Sequence, residues 1–207
     1  MVQQESGLRR AFWGLGLYGD DELGVMERMG TTLLLAPSGL MMAGNAALLR
    51  TMRDDPEQRV ALERSLCDAA QWSAYTTFLE LMGSAEWTAV AASSIRTITD
   101  YLEALCEIVN CWGWGKVSTP HMDVEQKTLT FEVQHSDAAE FWRSHFGPAL
   151  HPVCFAWAGV AGGLLDVLLG RRYGDFEGHE MQCAAMRGGG VCLFSATLRH
   201  SFISGIR

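Results

Sequence analysis

Apolar residues change their spacing along this chain, and each spacing predicts a different element. Leu40, Met41, Leu48, Leu49 and Met52 recur at helical intervals, which predicts a helix opened by Pro37 and Ser38 and running through Arg53. Asp54, Asp55 and Pro56 end it. A longer helix is expected from about Glu57 to Met82, with Leu62, Leu66, Trp72, Leu79 and Met82 among its apolar positions and Gly83 as its stop. Another spans about Thr99 to Asn110 and carries Leu102, Leu105, Cys106, Ile108 and Val109. Ahead of these, residues 1 to 20 are weakly patterned. Residues 23 to 35 suit a short strand pair turning near Met29-Gly30.

The spacing switches after Asn110. Cys111-Trp-Gly-Trp-Gly-Lys-Val is too rich in glycine for a helix interior and suits the entry to a strand. From Thr128 to Val133 the pattern alternates, with Leu129, Phe131 and Val133 on one face, so a half-buried strand is expected, and 124–127 is its hairpin loop. Asp137 to Phe146 reads as a short helix capped by Ser136. Pro152 to Leu169 is almost wholly apolar, small residues on one side and bulky ones on the other. Its polar flanks and the mixed pattern around it predict a buried core helix rather than a membrane span. Strands are expected through Glu180 to Cys183 and from Val191 to Leu198. The sum is an α+β fold: an antiparallel sheet packed against several helices.

Composition narrows the function more than the fold. The 207 residues carry a net charge of −8, which argues against nucleic acid and anionic membrane surfaces as partners. Residues 1–6 show no basic segment leading into an apolar core, and six cysteines read as reduced thiols or metal ligands, so a cytoplasmic location is expected. Four residues hold the most chemistry: Cys154, Glu180, Cys183 and Cys192. A carboxylate and a thiolate three positions apart can converge on one ion, and Gly188-Gly189-Gly190 lets the backbone return Cys192 to the same point. Three thiolates and a carboxylate suit a tetrahedral zinc of structural type. Spacing alone leaves a second reading open, in which Cys154 is a buried apolar residue and Cys183 merely faces Cys192 across a hairpin.

The order of motifs in the second half is Val133-Gln-His-Ser136, Pro152-Val-Cys154, Ala158-Gly-Val-Ala-Gly162, Gly170-Arg171, Glu180-Met-Gln-Cys183 and Gly190-Val-Cys192-Leu-Phe194. This order resembles the 4-vinyl reductase domain family. That family includes a protein of bacteriochlorophyll synthesis and the sensor domains of phenol- and xylene-responsive activators, and its fold is related to TRAPP subunits. The resemblance is best over residues 60 to 200. It implies zinc at Cys154, Glu180, Cys183 and Cys192. It also implies a dimer-forming arm over 1–55, a ligand-binding domain over 56–207 and a homodimer. The segment Tyr173 to His179 reads as a long loop, which puts His179 forward as a rival ligand to Glu180. No ATPase or DNA-binding domain follows, so the reading is of a free-standing member.

Groups for catalysis are sparse. His135 beside Ser136 and Asp137 is a sequence neighbourhood, not a triad. The glycines at 159, 162 and 163 lie inside a helix rather than at a strand-to-helix turn, so they mark packing and not a dinucleotide site. Binding without turnover is the expectation. Seven tryptophans favour an apolar, aromatic-lined site. With the resemblance, Trp112, Trp114, His121, Phe131, His135, Phe155 and Trp157 are its candidate lining, for an aromatic or tetrapyrrole ligand. An enzyme or accessory protein of tetrapyrrole synthesis and a TRAPP-like interaction subunit are the alternatives.

Overall fold

Two short strands open the described chain: β1 (Met26–Arg28) pairs antiparallel with β2 (Thr31–Leu33), Met26 opposite Leu33. The computed structural model describes residues 26–28, 31–33, 38–52, 55–186 and 190–199. The expected turn at Met29-Gly30, the helix opening at Pro37, residues 1–20 and Gly188-Gly189 lie outside those residues. Helix α1 (Ser38–Thr51) follows. Asp55 then does more than end α1: its side chain accepts from the Gln58 N–H at 3.0 Å and caps α2 (Pro56–Gly83), with Pro56 in the first turn, where its missing N–H costs nothing.

Ser84 stands between two helices and serves both. Its N–H closes the end of α2 on the Leu81 carbonyl, and its Oγ accepts from Trp87 N to start α3 (Ala85–Ser94). The sequence reading misses α3. Thr97 and Asp100 form a reciprocal capping box for α4 (Ile98–Cys111), whose buried stripe of Leu102, Leu105, Ile108 and Val109 meets the helical expectation.

Strands β3 (Lys116–Asp123), β4 (Thr128–Gln134), β5 (Phe176–Gln182) and β6 (Val191–Leu198) form one antiparallel sheet in the order β3-β4-β6-β5. Leu129, Phe131 and Val133 of β4 are all buried, as their alternation predicts. On β6 the inward residues are Cys192, Phe194 and Ala196. Between β4 and β6 runs α5 (Asp137–Phe146), then α6 (Phe155–Leu168), the apolar helix expected from 152 to 169. Among the described residues, no helix is long and apolar enough to cross a membrane.

Helix α6 is the centre of the molecule, with the sheet on one side and α2 on the other. Glycines set these distances. A Cβ on Gly163 would lie 2.7 Å from the Gln71 carbonyl oxygen, and one on Gly178 of β5 would overlap the Ala158 carbonyl. Backbone therefore meets backbone on both sides of α6, and no alanine fits at either point. This packing corrects the inward face read for α2. Its buried residues are Gln71, Ala74, Phe78 and Leu81, whereas Trp72 is 54% exposed and Leu79 46% exposed. Small partners on α6 need no bulky stripe on α2.

Two further expectations are corrected. Ser136 precedes α5 but makes no side-chain cap. The segment 173–179 is not a long loop, because β5 begins at Phe176.

Candidate metal centre and aromatic row

Four separate elements deliver Cys154, Glu180, Cys183 and Cys192 to one point. Cys154 is the N-cap residue of α6, ahead of the helix rather than within it. Glu180 lies near the end of β5, where a register shift between Glu180 and Gln182 bends the strand into the turn at Cys183. Cys192 is the second residue of β6 and faces inward, opposite Val133. The ligating atoms of all four lie within 4.8 Å of one another, and the three cysteines are buried. They could hold a metal ion.

The surrounding hydrogen bonds run to the sulfurs and to one carboxylate oxygen. The Cys154 N–H donates to Glu180 Oε2 at 2.9 Å, and the Ala184 N–H points at Cys192 Sγ at 3.2 Å. Buried Ser136 sits 3.3 Å from Cys154 Sγ through its Oγ, so its hydroxyl is turned to the thiol instead of to α5. Cys154 and Cys192 Sγ are 3.7 Å apart. Hydrogen bonds from Cys154 and Cys192 pull the Cys183 thiol far down from its usual value, and the same sharing pushes Cys154 up. Burial first, and then the charge of Cys183, raise the Glu180 carboxyl to about 8. Packed this closely, the groups hold their protons against one another: the Cys154 and Cys192 thiols and the Glu180 carboxyl all lie above their ordinary values, and Cys183 alone lies below.

Glu180 Oε1 supplies the direct test of fit. It is buried and has no hydrogen-bond partner among the described residues, while Oε2 is bonded. A buried carboxylate oxygen without a local donor, beside three sulfurs, has the chemistry of a metal ligand. His179 does not compete for that place. It is exposed, and its Nε2 lies 3.6 Å from Glu177 Oε1.

The seven candidate lining residues divide. Phe131 and Trp157 are buried, and their rings join Phe194 at centroid distances of 5.5 to 6.3 Å. Trp114, 42% exposed, stands edge-on to Trp157 at 6.4 Å. Trp112 follows at 5.7 Å from Trp114, and Phe78 of α2 stacks on Trp112 at 6.2 Å. Six rings thus run in a row that leaves the core, reaches the surface at Trp114 and returns to buried Phe78, at separations typical of favourable aromatic pairs. His121, His135 and Phe155 take no part in these ring contacts. His121 is exposed, His135 holds Glu140 at 3.1 Å with its side chain 81% exposed, and Phe155 is half-buried at the start of α6. Phe78 and Phe194 join the row although they are not among the candidate lining residues. Phe194 could have been found from its place two residues after Cys192, on the same strand face.

A second polar cluster was also missed. Fully buried Gln71 and Asp166 meet at 2.7 Å between α2 and α6. The signal was present: Asp166 is the one charged residue in the apolar run 152–169.

No protein-family model matches the sequence, and no curated protein matches it. Solved structures do. The phenol-responsive sensory domain of the transcription activator PoxR, crystallised with phenol, matches with a TM-score of 0.69 at 17% identity, over 94% of this chain and 92% of that one. A trafficking protein particle complex subunit 3 from Naegleria fowleri, covalently bound to palmitic acid, matches with a TM-score of 0.53 at 15% identity, over 78% of this chain and 95% of that one. These likenesses show a common α+β fold, and both neighbours fall within the fold relation that the sequence resemblance implies.

Proposed function

We propose that this protein is a small-molecule-binding domain of 4-vinyl reductase type, with a hydrophobic aromatic ligand and one structural zinc. The row of rings from Phe194 out to Trp114 carries this reading: it is a continuous run of packed aromatic rings, buried at Phe194, Phe131 and Trp157, that reaches solvent at a half-exposed tryptophan. A neighbour of the same fold crystallised with phenol supports it. His121, His135 and Phe155 border the site in this reading, and the ligand enters past Trp114.

Zinc is held by Cys154, Glu180, Cys183 and Cys192. A full set of four protein donors is the mark of a structural metal, because no position is left for water or substrate. The protein binds its ligand and does not transform it. Residues 1–55 form a dimerisation arm ahead of the binding domain over 56–207. Leu40, Met41 and Leu48 are exposed on α1, more apolar surface than a peripheral helix keeps in water. Light scattering should give a dimer mass at micromolar concentration, and a monomer mass would remove the arm from the proposal.

Ligand binding is tested by titrating phenols, arenes and a porphyrin while following tryptophan emission. Saturable quenching by a single-ring aromatic is expected, and Trp157→Phe should weaken the signal. Saturation by the porphyrin alone would move the ligand class to tetrapyrroles. No saturable response to any probe would favour a protein-interaction role, as in the trafficking subunit.

A further inference from the structure

Leu129, Phe131 and Val133 set the buried face of β4, so the same alternation would turn residue 135 inward and residue 136 outward. The chain does the opposite: His135 is exposed and Ser136 is buried. The reversal takes place at His135, whose φ of 53° is a left-handed conformation uncommon outside glycine. Backbone of this kind needs a reason, and a helix cap is not the reason, because Ser136 makes no side-chain cap on α5. Hydrogen bonds hold the chain in place on both sides of the turn. The Ser136 carbonyl accepts from Glu140 N at 2.9 Å, and Asp137 N donates to the Trp114 carbonyl at 3.1 Å. The hydroxyl is thereby delivered to one point, 3.3 Å from Cys154 Sγ.

Each sulfur of the cluster meets one donor of this kind. The Ala184 N–H faces Cys192 Sγ at 3.2 Å, the Val153 N–H faces the Cys183 thiol, and the Ser136 hydroxyl faces Cys154. Between a hydroxyl and a protonated thiol, either atom can donate. A sulfur that ligates a metal is a thiolate and has no proton to give. Ser136 then has to be the donor. Two of the three donors are backbone groups, present whatever residues stand there. The third depends on a side chain. With the thiols ionised, no other donor among the described residues reaches Cys154 Sγ.

We propose that Ser136 is a positioning residue of the metal centre: its hydroxyl donates to the Cys154 thiolate, fixes the direction of that sulfur and sets how firmly it holds the ion. The proposal rests on the metal reading given above and deepens it. A hydrogen bond to a thiolate draws off part of its charge, which eases the mutual repulsion of three sulfurs and a carboxylate whose ligating atoms lie within 4.8 Å of one another. It also holds the side chain in the rotamer that ligation needs.

Ser136→Ala is the first test. The variant should still take zinc, but about tenfold more weakly in competition with a chromophoric chelator. With cobalt(II) in place of zinc, its sulfur-to-metal charge-transfer band should move to longer wavelength, because a sulfur that loses a hydrogen bond gives up electron density more readily. Ser136→Thr keeps the hydroxyl and should return the band toward the parent position. An unchanged zinc affinity in Ser136→Ala would overturn the proposal. So would a weaker affinity with an unmoved band, which would make Ser136 a packing residue only. Where Ser136→Ala fails to fold, the unmodified protein decides. Loaded with ¹¹³Cd, it should show a scalar coupling from the metal through the Cys154 sulfur to the Ser136 hydroxyl proton, beside one through Cys192 to the Ala184 N–H. Coupling at Ala184 alone would refute the role of Ser136 and leave the metal reading standing. If the unmodified protein takes up neither zinc, cobalt nor cadmium, the metal reading fails and this proposal fails with it.

Discussion

At the C-terminal end of α6, buried Asp166 accepts from Gln71 Nε2 at 2.7 Å and from the backbone N–H groups of Gly174 and Phe176 at 3.0 Å each. At the N-terminal end, Cys154 gathers Glu180, Cys183 and Cys192, and one carboxylate oxygen stays unpartnered. The same helix and the same neighbouring strand build both clusters. The first is closed: Gln71 also donates to the Phe176 carbonyl at 2.8 Å, and Arg199 bridges Asp68 and Gln71. The second keeps one acceptor, Glu180 Oε1, without a donor. Burial of acidic groups therefore does not mark a ligand site in this fold. An acceptor left over after every local donor has been counted is what sets the cysteine cluster apart.

The comparison is broken most severely at the open end. Cys183→Ser should abolish metal binding and lower the unfolding free energy by more than about 4 kcal/mol, because metal affinity is folding energy in such a site. Elemental analysis should find about one equivalent of zinc in the parent protein. Less than about a tenth, in protein never exposed to chelator, would refute the zinc assignment. A chelator should destabilise the parent and leave the variant unmoved.

Asp166→Ala comes next. It removes the acceptor shared by Gln71 Nε2 and the Gly174 and Phe176 N–H groups, of which Gln71 keeps only the Phe176 carbonyl, and should cost about 3 kcal/mol by denaturant titration. Metal content should stay at the parent level. A loss of zinc in this variant would show that the two ends of α6 are not independent.

The smallest effect is expected away from α6, at exposed Asp100 in the α4 capping box. The N–H groups of Arg96 and Thr97 hold its carboxyl below its usual value. Its contribution is therefore present above the unfolded value of about 3.9 and is lost as pH falls through the lower folded value. Asp100→Asn should flatten the stability profile slightly in that window and leave both clusters intact. An unchanged profile would mean that the box contributes nothing measurable.

The parts of the fold that were legible are those with a strong period of their own. The alternation in β4 and the apolar run of α6 need no partner to be read. The quartet Cys154, Glu180, Cys183 and Cys192 was named from residue type and motif order. What escaped depended on distant partners. The face of α2 was misread because it turns Gln71 inward and Trp72 outward, and only the glycines of α6 explain why. Helix α3 was hidden because Gly83 reads as a stop, whereas Ser84 ends one helix and starts the next. Ser136 looks like a cap until a thiol 18 positions away claims its hydroxyl.

The Gln71 contact has a further consequence, for the order in which this chain can be completed. Strand β5 closes one side of its sheet, and the backbone it turns away from β6 is met by side chains rather than by another strand. Gln71 takes the Phe176 carbonyl, Asp166 takes the Phe176 N–H, and Cys67 Sγ approaches the Gly178 carbonyl at 3.9 Å. Helix α2 thus serves where a fifth strand would otherwise dock, and it denies that place to any other chain. Yet Gln71 precedes Asp166 by 95 residues and Phe176 by 105. During synthesis α2 leaves the ribosome long before the groups it will bind exist. The outer side of β5 is therefore covered only by a partner made about 100 residues earlier in the chain.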